Sequence, residues 1–390
     1  MAEPLYILSA ARTPMGGFQG ELAAHSAPQL GAIAIAEAVK RAGVGASAVE
    51  EAYMGNVLPA GVGQAPARQA AIHGGLANSV PCTTISKVCG SGMKAIMLGA
   101  DRIAAGHAEI VIAGGMESMS NAPYLLPKAR GGYRLGHGEI KDHMFLDGLE
   151  DAYEGRLMGT YAEDAARHYQ FTREAQDAYA TESLKRAQAA TTSGAFAAEI
   201  VAVPAGGKKG GADVAQDEQP RKADASKIPT LKPAFAKDGT VTAANSSSIS
   251  DGAAALVLAS ARAAKGAAPL ARIVAQASHA AEPRWFTTAP VGAIRKVLNK
   301  AGWKASDVDL FEINEAFANV AMIALRDLSL SHDAVNVNGG ACALGHPIGA
   351  SGARIVVTLL HALKARGGKR GIASLCIGGG EATALAVELV

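Results

Sequence analysis

The sequence contains few cysteines, few aromatic residues and no large excess of charge of either sign. Its 390 residues include four cysteines and 5% aromatics, and the formal net charge is +2. The cysteines are too few and too unevenly spaced for a disulfide framework, and none forms a Cys-x-x-Cys metal pair. A near-neutral charge gives no indication of a nucleic-acid partner. We therefore expect free thiols, no metal site and no nucleic-acid binding.

Long hydrophobic runs and a signal peptide are also missing. No apolar stretch approaches the roughly 20 residues that a membrane helix requires. The N-terminal residues pass almost directly into a strand-like segment, residues 5–8, without the basic and apolar regions of a signal peptide. These features predict a cytoplasmic protein that does not interact with membranes. The length and the 49% apolar content indicate two or three folded domains.

The sequence VCGSG places Cys89 between a strand-like stretch, residues 83–88, and an apolar segment that begins like a helix. At a helix N-terminus, unpaired backbone N–H groups and the helix dipole favour a thiolate over a thiol. Gly90 and Gly92 leave room near the sulfur and permit turn conformations that other residues avoid. Cys89 is therefore a candidate nucleophile, whereas the alternative is a small buried hydrophobic residue, as free cysteines commonly are.

Two blocks of sequence recur at an offset of about 260 residues, which indicates an internal duplication. A helical segment that begins near Pro28 returns near Pro290, and Ser91-Gly92 returns as Ser351-Gly352. Each copy alternates strands and helices, which predicts βαβ units and mostly parallel sheets.

The duplication predicts three parts, with residues 1–118 and 250–390 as the two halves. Residues 119–249 form an insertion with a strand near its end that returns to the N-terminal half. Basic residues are frequent in the insertion, and those around Arg221 are candidates for binding phosphate groups or for ordinary solvated surface. The offset maps Cys89 to position 349, next to His346. Packing about a pseudo-twofold axis would bring this cysteine and histidine together.

Three further polar motifs lie in apolar, glycine-rich surroundings where strands are predicted to end. Asn314 begins an NEAF motif, His346 belongs to a GHPIG motif, and Cys376 begins a CIGGG motif. The carboxyl ends of strands are where open parallel sheets bind ligands. We therefore expect these side chains to gather at one site with Cys89.

The four motifs together resemble the thiolase family, particularly its acetyl-CoA acetyltransferases, and the resemblance extends over the whole chain. It implies an α/β protein with a duplicated thiolase fold, α-β-α-β-α layers and an inserted CoA-binding loop domain, commonly as a homotetramer. The implied reaction interconverts two acetyl-CoA with acetoacetyl-CoA plus CoA. Coenzyme A would be substrate and product, with no further cofactor and acyl-CoA molecules as the small-molecule partners.

The resemblance also assigns catalytic roles. His346 takes the proton of Cys89, which carries the acyl group. The backbone N–H groups of Cys89 and Gly378 hold the oxyanion of that step. Cys376 removes an α-proton from the second acetyl-CoA, and His346 with a water held by Asn314 stabilises the enolate.

For coenzyme A, the resemblance places Arg221 at the adenine and phosphate end, and Met158 at the narrow acyl end. The residues expected along the pantetheine tunnel are Leu149, Ala243, Ser247, Ala316 and Phe317. Short acyl chains are the expected substrates, and a broader-range 3-ketoacyl-CoA thiolase of fatty-acid degradation is the alternative.

Three positions depart from the family pattern. Ser86 stands where asparagine is usual, Leu157 where histidine is frequent, and Glu381 where a smaller or apolar residue is common.

Other functions fit the sequence less well. The pattern from Gly90 to Ala95 matches a dinucleotide-binding motif, but no acidic residue ends the next strand. Decarboxylating condensing enzymes of related fold typically have histidine where Cys376 stands, and a catalytically silent relative should lack one of the four groups.

Overall fold

Strands and helices alternate along most of residues 3–205 and 211–390, which are the residues that the computed structural model describes. The strands are β1 (Leu5–Arg12), β2 (Gly16–Gly17), β3 (Glu51–Gly55), β4 (Cys82–Ile85), β5 (Ile110–Ser118), β6 (Tyr124–Leu125), β7 (Lys141–Asp142), β8 (Ser250–Ser260), β9 (Ala271–Ala280), β10 (Leu310–Ile313), β11 (Arg370–Ile377) and β12 (Glu381–Leu389). The α-helices are α1 (Ala27–Ala42), α2 (Pro66–His73), α3 (Ser91–Ala104), α4 (Met158–Tyr169), α5 (Arg173–Ser193), α6 (Glu218–Lys222), α7 (Ala289–Ala301), α8 (Ala318–Asp327), α9 (Ala341–Leu344) and α10 (Ser351–Arg366). The α/β class predicted from the sequence is confirmed.

These elements form the five layers, α-β-α-β-α, that the resemblance implied. Helices α1 and α2 cover the outer face of the N-terminal strands, with Leu30 and Met54 in the apolar contact. Helices α3 and α10 lie in the middle and pack against strands of both halves. Helix α7 covers the C-terminal strands on the far side, where Ile294 and Phe311 share a cluster. Burial of apolar side chains between the layers holds the two halves together.

The strands form one continuous sheet in the order β10-β11-β12-β9-β1-β8-β5-β3-β4, with β2 beside β8. The two halves join where residues 5–7 of β1 pair with residues 271–273 of β9. This narrow junction is consistent with a sheet that folds into two layers around α3 and α10.

The order of the elements confirms the duplication. The series β1, α1, β3, α3, β5 corresponds to β9, α7, β10, α10, β11. The last strand of each half returns antiparallel, β8 beside β5 and β12 beside β11. Residues 378–380 connect β11 to β12, whereas residues 119–249 lie between β5 and β8. The insertion therefore occupies the position of a short turn in the other half.

Strand direction differs from the prediction of mostly parallel sheets. Among the described strands, the parallel pairs are β3 with β4, β3 with β5, and β10 with β11. The central strands pair antiparallel, because β12 follows β11 through a tight turn and β1 and β9 run against their neighbours. Alternating strands and helices in the sequence did not reveal these reversals.

The boundary between the halves also differs from the expected position at residue 250. Strand β8 lies between β1 and β5, so it completes the N-terminal half and is the returning strand that we expected before residue 250. We therefore place the boundary after Ser260.

Two glycines bring the central helices together. A β-carbon on Gly92 would lie 2.8 Å from Ala353 N, and one on Gly352 would lie 2.4 Å from Met93 N. Only glycine permits such close approach of two helix backbones. Because Gly92 and Gly352 are equivalent positions of the repeat, the pseudo-twofold packing predicted from the sequence is confirmed.

The insertion is bound to both halves by buried polar contacts. Glu315 of the C-terminal half accepts hydrogen bonds from Tyr179 Oη (2.9 Å) and Ser183 Oγ (2.8 Å) of α5. On the other side, the buried Arg12 of β1 donates to Asp217 at 2.7 Å. These contacts fix the insertion over the end of the sheet where the motifs lie.

Candidate active site

Cys89 lies in a strained turn that leads directly into α3. The preceding residue, Val88, has a φ of +45°, a left-handed conformation that is unfavourable for a β-branched side chain. Gly90 N donates to Lys87 O at 3.0 Å, and Ser91 Oγ donates to Val88 O at 2.7 Å. These bonds hold the turn, and strain of this kind often occurs at functional sites.

The protonation state of Cys89 differs from the thiolate that its helix position predicts. Burial raises the pKa of the thiol to about 11, although the backbone N–H groups of Gly378 and of Cys89 itself act in the opposite direction. The buried carboxyl of Glu117 raises this pKa further. Desolvation therefore outweighs the helix N-terminus, and Cys89 is a neutral thiol at physiological pH.

His346 is held as a neutral base by a serine hydroxyl. Its Nδ1 lies 2.5 Å from Ser351 Oγ, and this hydroxyl also lies 2.9 Å from Pro347 O, to which it donates. Because the hydroxyl proton goes to the carbonyl, Ser351 Oγ accepts from Nδ1–H, and Nε2 is unprotonated. Burial and the nearby Arg354 lower the pKa of His346 to about 3. The imidazole can therefore take a proton at Nε2.

Asn314 is oriented by a buried arginine. Its Nδ2 lies 3.4 Å from His346 Nε2, and its Oδ1 lies 3.4 Å from Arg354 Nη2. A guanidinium can only donate, so the atom of Asn314 that faces Arg354 must be the oxygen. The amide N–H groups are thereby directed to the histidine side. Arg354 also lies close to the buried carboxyl of Glu312. Burial raises the pKa of this carboxyl to about 8, and the positive charge of Arg354 acts in the opposite direction.

Cys376 lies at the end of β11, in the hairpin opposite the nucleophile. It is buried, and burial together with the proximity of Cys89 raises the pKa of its thiol well above the ordinary value. The following turn contains Gly379 and Gly380 with φ values of +88° and +86°, and a β-carbon on Gly380 would lie 2.5 Å from Ala281 O. The three glycines thus allow the chain to turn sharply beside Cys89.

One cleft contains most of the predicted site. Its lining includes the predicted catalytic positions Cys89, His346, Cys376 and Gly378. Asn314 is not part of the lining but contacts His346. The predicted CoA-binding residues in the lining are Leu149, Met158, Ser247, Ala316 and Phe317. A mostly apolar cleft with a few converging polar groups is typical of a small-molecule site.

Arg221 and Ala243 do not line this cleft. Arg221 Nη2 donates to Glu21 at 2.5 Å and faces a separate surface concavity. Ala243 lines another concavity, together with Lys227 and Ser248. Because Ser247 lines the cleft and Ser248 the concavity, the two spaces lie on either side of one chain segment.

Some site residues carried no recognisable signal in the sequence. Phe235 and Phe286 line the cleft and place their rings about 6 Å from that of Phe317. Nothing in the surrounding residues distinguishes them from core aromatics. Ser351 and Arg354 did have a signal in the sequence, because both lie in the first turn of a helix that the repeat indicated.

The three residues that we expected to depart from the family pattern occupy different environments. Ser86 is exposed, and Leu157 lines the cleft. Glu381 forms an ion pair with Lys87 of the nucleophile turn.

The glycine pattern that suggested a dinucleotide site has a structural role instead. Gly90 packs against Ile377, since a β-carbon there would lie 2.3 Å from Ile377 Cδ1, and Gly92 packs against α10. The space at these glycines is therefore occupied by protein. Within residues 3–205 and 211–390, no cluster of three His, Cys, Asp or Glu side chains is arranged to hold a metal. None of the helices described for these ranges combines the length and apolar character needed to span a bilayer.

Comparisons with known proteins identify one protein family over nearly the whole chain. Residues 5–262 match the family profile of the thiolase N-terminal domain, and residues 267–389 match that of the C-terminal domain. The chain is 52% identical to acetyl-CoA acetyltransferase 2 of Arabidopsis thaliana, over 98% of this chain and 96% of that protein. It is also 52% identical to an acetyl-CoA acetyltransferase of Cupriavidus necator, over 98% of each.

A solved thiolase structure has the same fold as this chain. The thiolase from Ascaris suum, crystallised in complex with coenzyme A, superposes with a TM-score of 0.94, with 45% identity and complete coverage of both chains. Matching profiles, full-length relatives and a common fold establish that the chain belongs to the thiolase family.

Proposed function

We propose that this protein is an acetyl-CoA acetyltransferase that interconverts two acetyl-CoA with acetoacetyl-CoA plus CoA. The observation that carries the proposal is the convergence of Cys89, His346, Cys376 and the Gly378 backbone on one cleft. Full-length relatives about 50% identical that bear this name support it.

The first half-reaction transfers an acetyl group to Cys89. His346 Nε2 takes the thiol proton as the sulfur attacks the thioester carbonyl. The backbone N–H groups of Cys89 and Gly378 hold the oxyanion. The same N–H groups act to lower the pKa of the Cys89 thiol, so they favour negative charge beside this sulfur. Collapse of the tetrahedral intermediate releases CoA, which recovers the proton from His346.

The second half-reaction makes the carbon–carbon bond. His346, neutral again after CoA has left, takes the proton of the Cys376 thiol, and the resulting thiolate removes an α-proton from the second acetyl-CoA. The enolate attacks the acetyl group on Cys89, whose sulfur leaves as acetoacetyl-CoA forms and recovers its proton from His346. The enolate oxygen is stabilised from the side of His346 and Asn314, whose amide N–H groups Arg354 directs there. Thiolysis is the reverse sequence.

Coenzyme A extends from the cleft along the insertion. The pantetheine chain passes Leu149, Ser247 and Phe317, and Met158 bounds the acyl end. Ala243 lies in the neighbouring concavity, which also contains Lys227 and suits the adenine and phosphate end. Contact with Arg221 would require this side chain to exchange its bond to Glu21 for one to the ligand.

Assembly and compartment belong to the same proposal. The segment from β6 to β7 exposes large apolar side chains, notably Tyr124, Leu126, Leu135 and Ile140, which support a homotetramer with this segment in an interface. All four cysteines are free, and Cys89 and Cys376 must stay reduced to react, which supports a reducing compartment such as the cytoplasm.

Mass spectrometry and product analysis test the proposal. Purified protein mixed with acetyl-CoA should carry one acetyl group on Cys89 and should form acetoacetyl-CoA, whereas Cys89→Ala should do neither. Cys82→Ala is the matched control, because Cys82 lies on β4 outside the cleft. An unacetylated wild-type protein, or an adduct that survives Cys89→Ala, would refute the proposal. Thiolysis of 3-ketoacyl-CoAs of increasing length then separates it from the broader-range thiolase.

A further inference from the structure

An ion pair joins the two catalytic segments, which come from different halves of the chain. Lys87 Nζ contacts Glu381 Oε2, with both side chains partly exposed. Lys87 lies two positions before Cys89 in the nucleophile turn. Glu381 begins β12 and pairs in register with Ile377, next to Cys376 and the oxyanion donor Gly378.

The same two segments touch at two further points. A β-carbon on Gly90 would lie 2.3 Å from Ile377 Cδ1, and one on Gly378 would lie 3.7 Å from Val88 Cγ1. Lys87, Val88 and Gly90 thus each face one residue of the hairpin. The turn also contains the strained conformation of Val88, which persists only when its surroundings hold it.

We propose that the Lys87–Glu381 ion pair positions the nucleophile turn against the hairpin, so that the N–H groups of Cys89 and Gly378 form one oxyanion site. Lys87 and Glu381 are positioning residues, because they act through the backbone between them. Glu381 is one of the positions where this chain departs from the family pattern, and the lysine explains why a carboxylate is accommodated there. The inference rests on the proposed function.

The pair acts on reaction rate rather than on CoA binding. Neither side chain lines the cleft or the concavity proposed for coenzyme A. Both half-reactions use the oxyanion site, so a displaced turn lowers kcat and leaves KM for acetyl-CoA nearly unchanged.

Charge reversal and charge exchange test the proposal. Lys87→Glu and Glu381→Lys each place like charges side by side, and each should lower kcat about five- to tenfold, since partly exposed pairs have modest energies. The double variant Lys87→Glu/Glu381→Lys restores the pair in reverse and should recover kcat to within about twofold of wild type. Glu381→Gln, which removes the attraction without repulsion, should show a smaller loss, and high salt should lower the wild-type rate toward it.

Arg262→Glu is the matched control, because it breaks an exposed ion pair with Glu109 on the opposite side of the N-terminal half. Its kcat should equal that of wild type. A single reversal with unchanged kcat, or a double variant no faster than either single variant, would overturn the positioning role. If reversal variants fail to fold, the Glu381→Gln rate and its loss of salt dependence decide the question. A wild-type protein that forms no acetoacetyl-CoA would instead refute the proposed function.

Discussion

Ser351 Oγ accepts a hydrogen bond from His346 Nδ1 at 2.5 Å, which leaves Nε2 of the proposed base free to receive a proton. The Ser351 hydroxyl donates its own proton to Pro347 O at 2.9 Å. A backbone carbonyl of the loop that contains His346 therefore sets the tautomer of the histidine. The corresponding serine of the first half, Ser91, donates to Val88 O in the nucleophile turn. The duplication has thus placed a serine at the start of each central helix, and each one holds a catalytic loop.

Ser351→Ala should lower kcat about tenfold, because a lost buried hydrogen bond costs about 1–3 kcal/mol and the imidazole loses its fixed tautomer. KM for acetyl-CoA should change little. Steady-state condensation kinetics check this result, with Ser9→Ala as control, since Ser9 of β1 also donates to a buried carbonyl, that of Ala38 in the outer helix α1. An unchanged kcat in Ser351→Ala would show that the tautomer does not depend on this hydroxyl.

Alkylation of Cys89 by iodoacetamide should rise with pH throughout the range from about 7 to 10. Only the thiolate reacts, and burial raises the pKa of this thiol to about 11. Peptide mass spectrometry can follow the rate at Cys89 separately from that at Cys82. A rate that is already constant near pH 7 would indicate a preformed thiolate–imidazolium pair and contradict the neutral state.

Cys376→Ala should still accept an acetyl group on Cys89 but should lose condensation by about 10²–10⁴-fold, the usual contribution of general acid–base catalysis. Intact-protein mass spectrometry measures the first step, and acetoacetyl-CoA formation measures the second. Cys82→Ala should retain both. Near wild-type condensation by Cys376→Ala would exclude Cys376 as the base.

Glu312→Gln should become increasingly more stable than wild type as the pH is raised from about 5 to 8. Burial raises the pKa of this carboxyl to about 8, above its ordinary value of 4.5. Between these values the unfolded chain releases the proton while the folded protein retains it, so wild-type stability decreases with rising pH. Glutamine resembles the neutral acid and does not titrate. Urea unfolding at several pH values measures the difference, and a gap independent of pH would contradict the shift.

Met158→Ala should favour longer substrates, because Met158 bounds the acyl end of the cleft. The ratio of kcat/KM for 3-ketohexanoyl-CoA over acetoacetyl-CoA should rise about tenfold, in line with about 1–3 kcal/mol per methylene in an apolar pocket. Met322→Ala, at a partly buried methionine on α8, is the control. An unchanged ratio would show that another residue sets the chain length.

Much of the site was recognisable in the sequence because each catalytic side chain lies in a short motif with special backbone requirements. Cys89 precedes a helix with two glycines, His346 lies between glycine and proline, and Cys376 precedes three glycines. The duplication was recognisable from other positions, such as Ser91-Gly92 and Ser351-Gly352, which recur at an offset of about 260 residues. The structure gathers the motifs in one cleft, and their catalytic roles stay predictions for the experiments above.

Long-range packing decided what local patterns do not encode. Strand β8 belongs to the N-terminal half because it pairs with β1 and β5. Both partners lie more than a hundred residues earlier in the chain, so no local pattern indicates this pairing. The position of Arg221 beside Glu21, outside the cleft, has the same origin. Strand direction was mispredicted for a related reason, because alternating helices and strands indicate a layered fold without fixing which strands are neighbours.

The amino-acid order by itself determined the family, the duplicated α/β architecture and the identity of the candidate nucleophile, base and oxyanion donor. Tertiary structure alone decided their protonation states and their relative positions. Desolvation depends on everything packed around a group, so the burial that makes Cys89 a thiol and His346 a neutral base appears only when the two halves meet. The ion pair between Lys87 and Glu381 likewise exists only where those halves touch.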